Sequence, residues 1–260
     1  MIVGLALVAT PAAAEKRLKH HTPGVQEDEI QTKAEIDDTV AAGTVLPYTV
    51  GARHERPGML IFGYGGADQA KRAPVMLGTL DATLIDRVTI HATMTNVGMS
   101  NVLKPNVGMM FDVARGAEYG GVDLALGGDY EFVGFNGVPT LLSRAAIGGD
   151  IGELRLQGNA GFGLGIEEGE RYGTVALSGL HPVAQSLYVG LDSRARIDLE
   201  RDAMEPTGEM DWDMQAGPVA TLALGRFAVM ANGGMSAWKL RSQSTAKVGV
   251  TGSVGLGAVF

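Results

Sequence analysis

The stretch Ala246–Phe260 reads AKVGVTGSVGLGAVF. Every second residue back from Phe260, namely Ala258, Leu256, Val254, Gly252, Val250, Val248 and Ala246, lacks a polar side chain. The residues between them, Val259, Gly257, Gly255, Ser253, Thr251, Gly249 and Lys247, are mostly small, polar or glycine. Side chains of a strand point alternately to opposite faces, so this pattern predicts one long β-strand with two unlike environments.

The same period recurs upstream. In GVDLALGGDYEFVG, Val122, Leu124, Leu126, Tyr130 and Phe132 share one face, and Asp123, Asp129 and Glu131 share the other. In ELRLQGNAGFGLGI, Leu154, Leu156, Ala160, Phe162, Leu164 and Ile166 oppose Glu153, Arg155, Gln157 and Asn159. In AQSLYVGLDSRARIDLE, Leu187, Val189, Leu191, Ala195, Ile197 and Leu199 oppose Asp192, Arg194, Arg196 and Asp198. Twelve strands are expected, at about 57–66, 74–84, 86–97, 104–115, 119–133, 139–148, 151–166, 172–181, 184–200, 210–223, 226–238 and 246–260. Ten or fourteen are also open, because VLPYTVGAR can pair with the run that starts near residue 57.

Ordinary strands run to about 5–6 residues, whereas crossing a bilayer takes about 9–11 in a tilted strand. The length of these runs favours a barrel in a membrane over a soluble sandwich. Short connections near 85, 117, 150, 182 and 225 alternate with mostly longer, more charged ones such as GGADQAKR, IEEGERY and RDAMEPTGEMD. Tight turns at one end and longer loops at the other fit an all-β, antiparallel, up-and-down transmembrane barrel. Phe227 and Phe260 are expected at one rim, with Tyr130, Phe132, Trp212 and Trp238 towards the other.

Bulk composition narrows the function. The 260 residues include 38 Gly and no Cys, and the formal charge is −8. Absence of Cys excludes disulfides and thiolate metal sites. The negative balance argues against nucleic acid, which needs a basic footprint. MIVGLALVATPAAAEK has an apolar run, Ile2 to Val8, ahead of Ala12-Ala13-Ala14. It has the apolar region and small-residue cleavage site of a secretory signal peptide over residues 1–14. Residues 15–56 then form a periplasmic N-terminal tail, and 57–260 the barrel.

The final strand resembles the assembly signal of bacterial outer-membrane β-barrel proteins, through Ser253, Gly255 and the terminal aromatic Phe260; Ala258 stands where that signal usually has an aromatic. The resemblance implies insertion into a Gram-negative outer membrane by the barrel-assembly machinery, with outer-membrane lipid around the wall. It implies no particular transport or catalytic activity.

The polar faces supply the candidate site. Asp192, Arg194, Arg196 and Asp198 project in one direction at a spacing of about 6–7 Å, and Asp129, Glu131, Glu153 and Arg155 join them in the lumen. Asp211 and Asp213 are expected on the inward face of their strand as well. Such a lumen is either a narrow selective path for small solutes or ions, or a closed structural barrel sealed by salt bridges, with surface interactions through its loops. A lipid-acting hydrolase needs a serine activated by a base; His91 is the one histidine within a strand, it is expected to point inward, and no spacing selects Ser178 or Ser186. Alternating Gly161, Gly163 and Gly165 lie inside a strand pattern and so do not form a nucleotide loop. DLERDAMEPTGEMDWD lacks the ligand spacing of a calcium loop. No catalytic residue, metal ligand or cofactor is expected.

Overall fold

The computed structural model describes residues 58–85, 87–96, 104–116, 121–166, 170–199 and 209–260. The expected leader (1–14) and all of the tail (15–56) lie outside the described residues. Twelve strands run in order: β1 Gly58–Asp68, β2 Ala73–Ile85, β3 Val88–Thr95, β4 Lys104–Ala114, β5 Val122–Glu131, β6 Thr140–Ile151, β7 Leu154–Gly165, β8 Arg171–Ala184, β9 Leu187–Asp198, β10 Met210–Leu224, β11 Phe227–Leu240 and β12 Lys247–Val259. Each pairs antiparallel with its sequence neighbours, and β1 pairs with β12, so the sheet is a closed barrel. Among the described residues there is no helix.

The terminal stretch Ala246–Phe260 closes the cylinder. The Met59 N–H donates to the Phe260 carbonyl at 3.1 Å, and the Phe260 N–H returns the bond to Met59 at 2.8 Å. Register then runs from Leu60↔Val259 to Asp68↔Thr251. No strand edge is left open, which is the condition for a sheet to stand in hydrocarbon.

The two faces sort as the period requires. Outward residues include Val248, Val250, Val254, Leu256 and Phe260 on β12, Leu154, Phe162 and Leu164 on β7, and Leu191 and Ile197 on β9, all exposed. Inward residues are buried and largely polar: Thr251 and Ser253 on β12, and Asp123, Asp129 and Glu131 on β5. A soluble barrel has the opposite polarity. The outward Ser143 and Ser193 hydroxyls donate to the carbonyls of Phe162 and Leu177, each at 3.1 Å, so these polar groups stay satisfied without water.

One end of the barrel carries the turns Gly152–Glu153, Gln185–Ser186 and Gly225–Arg226, together with Gly58 and Phe260. Gly152 and Gly225 adopt φ of +62° and +63°, the left-handed backbone that such turns need. Segments 132–139 and 241–246 connect strands at the other end, here called the mouth, where β9 also ends and β10 begins. The alternation of short and long connections is broken twice: β1–β2 is joined at the mouth by only Gln69–Arg72, and β4–β5, expected to be short, takes the seven residues 115–121.

Two expectations are corrected. Trp238, expected in an aromatic rim, is turned inward at 1% exposure and donates its indole N–H to the Ala70 carbonyl. Asp211 and Asp213 do not share the lumen as their spacing predicts. A register shift between Met210 and Trp212 breaks that parity, so Asp211 pairs with Lys239 at 2.5 Å while Asp213 is fully buried. Phe227 and Phe260 do stand exposed at the turn end.

A charge placed on the outer wall tests its polarity. Val254→Arg, near mid-height of β12, should lower the unfolding free energy of the refolded barrel in lipid vesicles by about 2–4 kcal/mol. Urea titration of the two proteins side by side measures it; an unchanged midpoint would mean that this face is not in hydrocarbon.

Candidate functional site

The charges expected on β9 form the centre of the mouth. Asp192, Arg194, Arg196 and Asp198 share its inward face, and the first three stand opposite Gly217, Gln215 and Asp213 of β10 in the register. Each of the four is engaged. Asp192 is buried at 1% exposure. Arg194 lies 3.8 Å from Asp213, which the ammonium of Lys71 meets at 2.6 Å. The Arg196 guanidinium stands 5.9 Å from the Phe135 ring centre and 6.0 Å from that of Tyr172. Asp198 accepts from Arg241 and, at 3.1 Å, from the Asn136 side chain.

Two connections reach into the lumen to make these contacts. Lys71 comes from the β1–β2 turn, which is held by Gln69 N–H to the Val250 carbonyl at 2.9 Å and by Trp238 to Ala70 at 3.1 Å. Beneath it, Asp68 accepts from Gln215 at 2.9 Å and from Ser236 at 2.6 Å. Phe135 and Asn136 come from the β5–β6 connection. Asn136 exchanges bonds with Met210, which donates to its side-chain oxygen at 2.8 Å, and its own N–H donates to Glu170 at 2.6 Å. Phe135, Leu142, Tyr172, Met210, Trp238 and Leu240 form one apolar cluster around these groups.

Glu131 accepts the hydroxyl of Tyr172. The space for that ring comes from Gly163, where any Cβ would collide with it. The inward glycines of β7 therefore make room for a neighbour's bulk, as their place in the strand predicts. Asp129 lies elsewhere on the wall and joins His91 and Arg144. His91 points inward, as expected, and is 1% exposed.

Two of the expected lumen residues belong to the opposite end. Glu153 lies in the Gly152–Glu153 turn with its side chain 77% exposed, so its lumen position is corrected. The strand pattern carried it one turn residue too far. Arg155 pairs with Asp150 at 3.0 Å on the rim beside it. Between rim and mouth, the turn-end half of the lumen holds Leu60, Phe62, Tyr64, Leu180, Val219, Ala228 and Met230 as an apolar cluster. Phe62, Leu180 and Met230 are fully buried.

Lys71, Phe135, Asn136, Glu170 and Arg241 escaped the sequence reading. They lie in or beside connections, where no period marks a direction. The signal for Lys71 and Glu170 was the charge in GGADQAKR and IEEGERY; Phe135, Asn136 and Arg241 had none.

No protein-family model and no curated protein matches the chain. Among solved structures, it is similar to the NanC porin with a TM-score of 0.54 and 8% identity, covering 77% of this chain and 98% of that one. An outer membrane channel from Pseudomonas putida F1 aligns with a TM-score of 0.47 and 9% identity over 83% of this chain and 97% of that one. The outer membrane channel DcaP of Acinetobacter baumannii gives 0.43 and 7%, over 77% and 71%. At these identities the likeness to the porin is one of fold.

One carboxyl outside the strands titrates near neutrality. Burial pushes Glu170 from its ordinary 4.5 up to about 7, against the opposing Asn136 N–H, with Asp198 and Glu131 adding to the rise and Lys104 opposing it. The folded protein thus keeps a proton that the unfolded chain has lost, and the contribution of Glu170 to stability falls as pH rises from about 4.5 to 7. Glu170→Gln keeps an oxygen for Asn136 and should remove that part of the slope from urea midpoints measured across this range. An identical slope in the variant would show that Glu170 does not hold the proton.

Proposed function

We propose that the protein is an outer-membrane barrel forming a narrow, charge-lined pore for small solutes or ions. The observation that carries this reading is the mouth. Lys71, Arg194, Arg196 and Arg241 face Asp213, Asp198 and Glu131 on the inner wall, inside a cylinder whose outer wall is apolar. Fixed charges of both signs in a confined lumen set ion preference through field strength and width. The task requires no chemical step. The wall would meet outer-membrane lipid, and Ser253, Gly255 and Phe260 would serve as the assembly signal read by the barrel-assembly machinery of a Gram-negative cell after export through the leader.

In the present conformation the path is narrow at two levels. At the mouth, Lys71 and the Phe135–Asn136 segment bridge to β9 and β10. At the turn end, Phe62, Leu180 and Met230 fill the section with apolar side chains. A hydrophobic constriction can gate by excluding water. The same cluster also favours a second reading, a permanently closed barrel that acts through its exposed connections.

Planar-bilayer recording separates the two. Discrete, reproducible current steps are expected from the refolded protein, and a correctly refolded but silent barrel would support the closed reading. In a salt gradient, Arg194→Ser with Arg196→Ser should shift the reversal potential toward cation preference; an unchanged potential would take both arginines out of the path. Phe62→Ala with Leu180→Ala should raise unitary conductance. If it does not, the apolar cluster is not the limiting section.

A further inference from the structure

A second cluster, away from the mouth, has a chemistry that the pore reading does not use. It runs around the wall along one register row: Leu60 of β1, Asp81 of β2, His91 of β3, Gly108 of β4 and Asp129 of β5, each directly opposite the next. Arg144 of β6 meets Asp129 from the far side. Asp81, His91 and Asp129 are 4%, 1% and 3% exposed. Gly108 makes the row continuous, because a Cβ there would collide with the Asp129 carboxylate and His91 Nε2. Only glycine lets the ring of β3 reach past β4 to a carboxylate on β5.

The hydrogen bonds leave a specific gap. Asp129 as a carboxylate can only accept, so His91 Nε2 must carry the proton in the bond between them. Among the described residues, His91 Nδ1 then has no partner, and neither oxygen of the facing Asp81 accepts a hydrogen bond. The threonines on either side do not serve them: Thr79 and Thr93 bond each other at 3.2 Å, and Thr83 and Thr89 do so at 3.1 Å. The charged groups that act on Asp81 are Arg144 and Asp129, and Arg144 is already joined to Asp129. Leu60 and Gly108 add no charge.

We propose that Asp81 and His91, opposite each other in the register, form a buried proton-binding site, in which one exchangeable proton resides on the Asp81 carboxyl or on His91 Nδ1. With that proton the row is electrically balanced. It reads either as neutral acid and neutral imidazole, or as Asp81 carboxylate facing imidazolium, with the Asp129–Arg144 pair beyond. Without it, Asp81 is an unpaired charge in a site that water barely reaches, which is among the more costly arrangements in a folded protein. The proton is taken from and returned to bulk water; no bond between heavy atoms changes. Loss of the proton therefore leaves an unpaired buried carboxylate in the β2–β5 wall and makes the stability of that wall depend on pH.

The site is tested without reference to conductance. Above about pH 7.5 an unfolded chain carries an Asp carboxylate and a neutral imidazole, so unfolding should release the extra proton. The folded-to-unfolded ratio of the full barrel in lipid vesicles should then fall by up to about tenfold per pH unit wherever the folded site keeps its proton and the unfolded chain does not. Asp81→Asn and Asp81→Ser, which remove the unpaired carboxylate, should each flatten that slope relative to the wild type; two variants are used so that one refolding failure does not end the test. Histidine ring 15N resonances in micelles give an independent reading, with His91 assigned by its loss in His91→Gln. Nε2 should stay protonated throughout, and the pH response of Nδ1 should move when Asp81 is replaced. Equal slopes and an unmoved Nδ1 response would overturn the proposal.

Discussion

Everything in this structure depends on the bond exchange between Met59 and Phe260 and the register it starts. A sheet facing hydrocarbon cannot leave N–H or C=O groups at an edge, because no water is there to take them. Once β1 meets β12, every strand has two partners, and the only remaining freedom is which way each side chain points. That choice separates apolar from polar residues with a period of two. Even the exceptions obey the constraint, as Ser143 and Ser193 do by donating to carbonyls on the next strand.

The cost of that arrangement is carried inside. A polar inner face encloses charges, and a buried charge is tolerated when it is paired. The pairs come from distant parts of the chain: Lys71 to Asp213 spans 142 residues, and Ser236 to Asp68 spans 168. Such contacts join strands two or three places apart around the ring, so they brace that sector of the cylinder as well as neutralise its lumen. Inward glycine supplies the space they need, at Gly163 for Tyr172 and at Gly108 for the His91–Asp129 pair.

The lumen divides into two chemistries along its axis. The turn-end half is filled by Phe62, Leu180, Met230 and their neighbours, while the mouth is a web of ion pairs and ring contacts around β9 and β10. Apolar filling resists water, whereas a charged web admits it when a connection moves. The Asp81–His91 row belongs to neither half's pairing, since its carboxylate accepts no hydrogen bond.

The sequence by itself determined the strands and their faces. The expected segments agree with the observed ones to within a few residues, for example 210–223 against Met210–Leu224, and the polarity of Val122 to Glu131 was read correctly residue by residue. Side-chain alternation is local, so it survives in the linear string. The four β9 charges were likewise recognisable as one face. Their partners were not, because Lys71, Asn136 and Arg241 lie in connections, where backbone direction has no period. Trp238 turning inward, the register shift that separates Asp211 from Asp213, and Glu153 sitting in a turn were also decided only by the tertiary structure. Which inward groups meet depends on the stagger between strands far apart in the chain, and stagger is a property of the closed cylinder rather than of any segment in it.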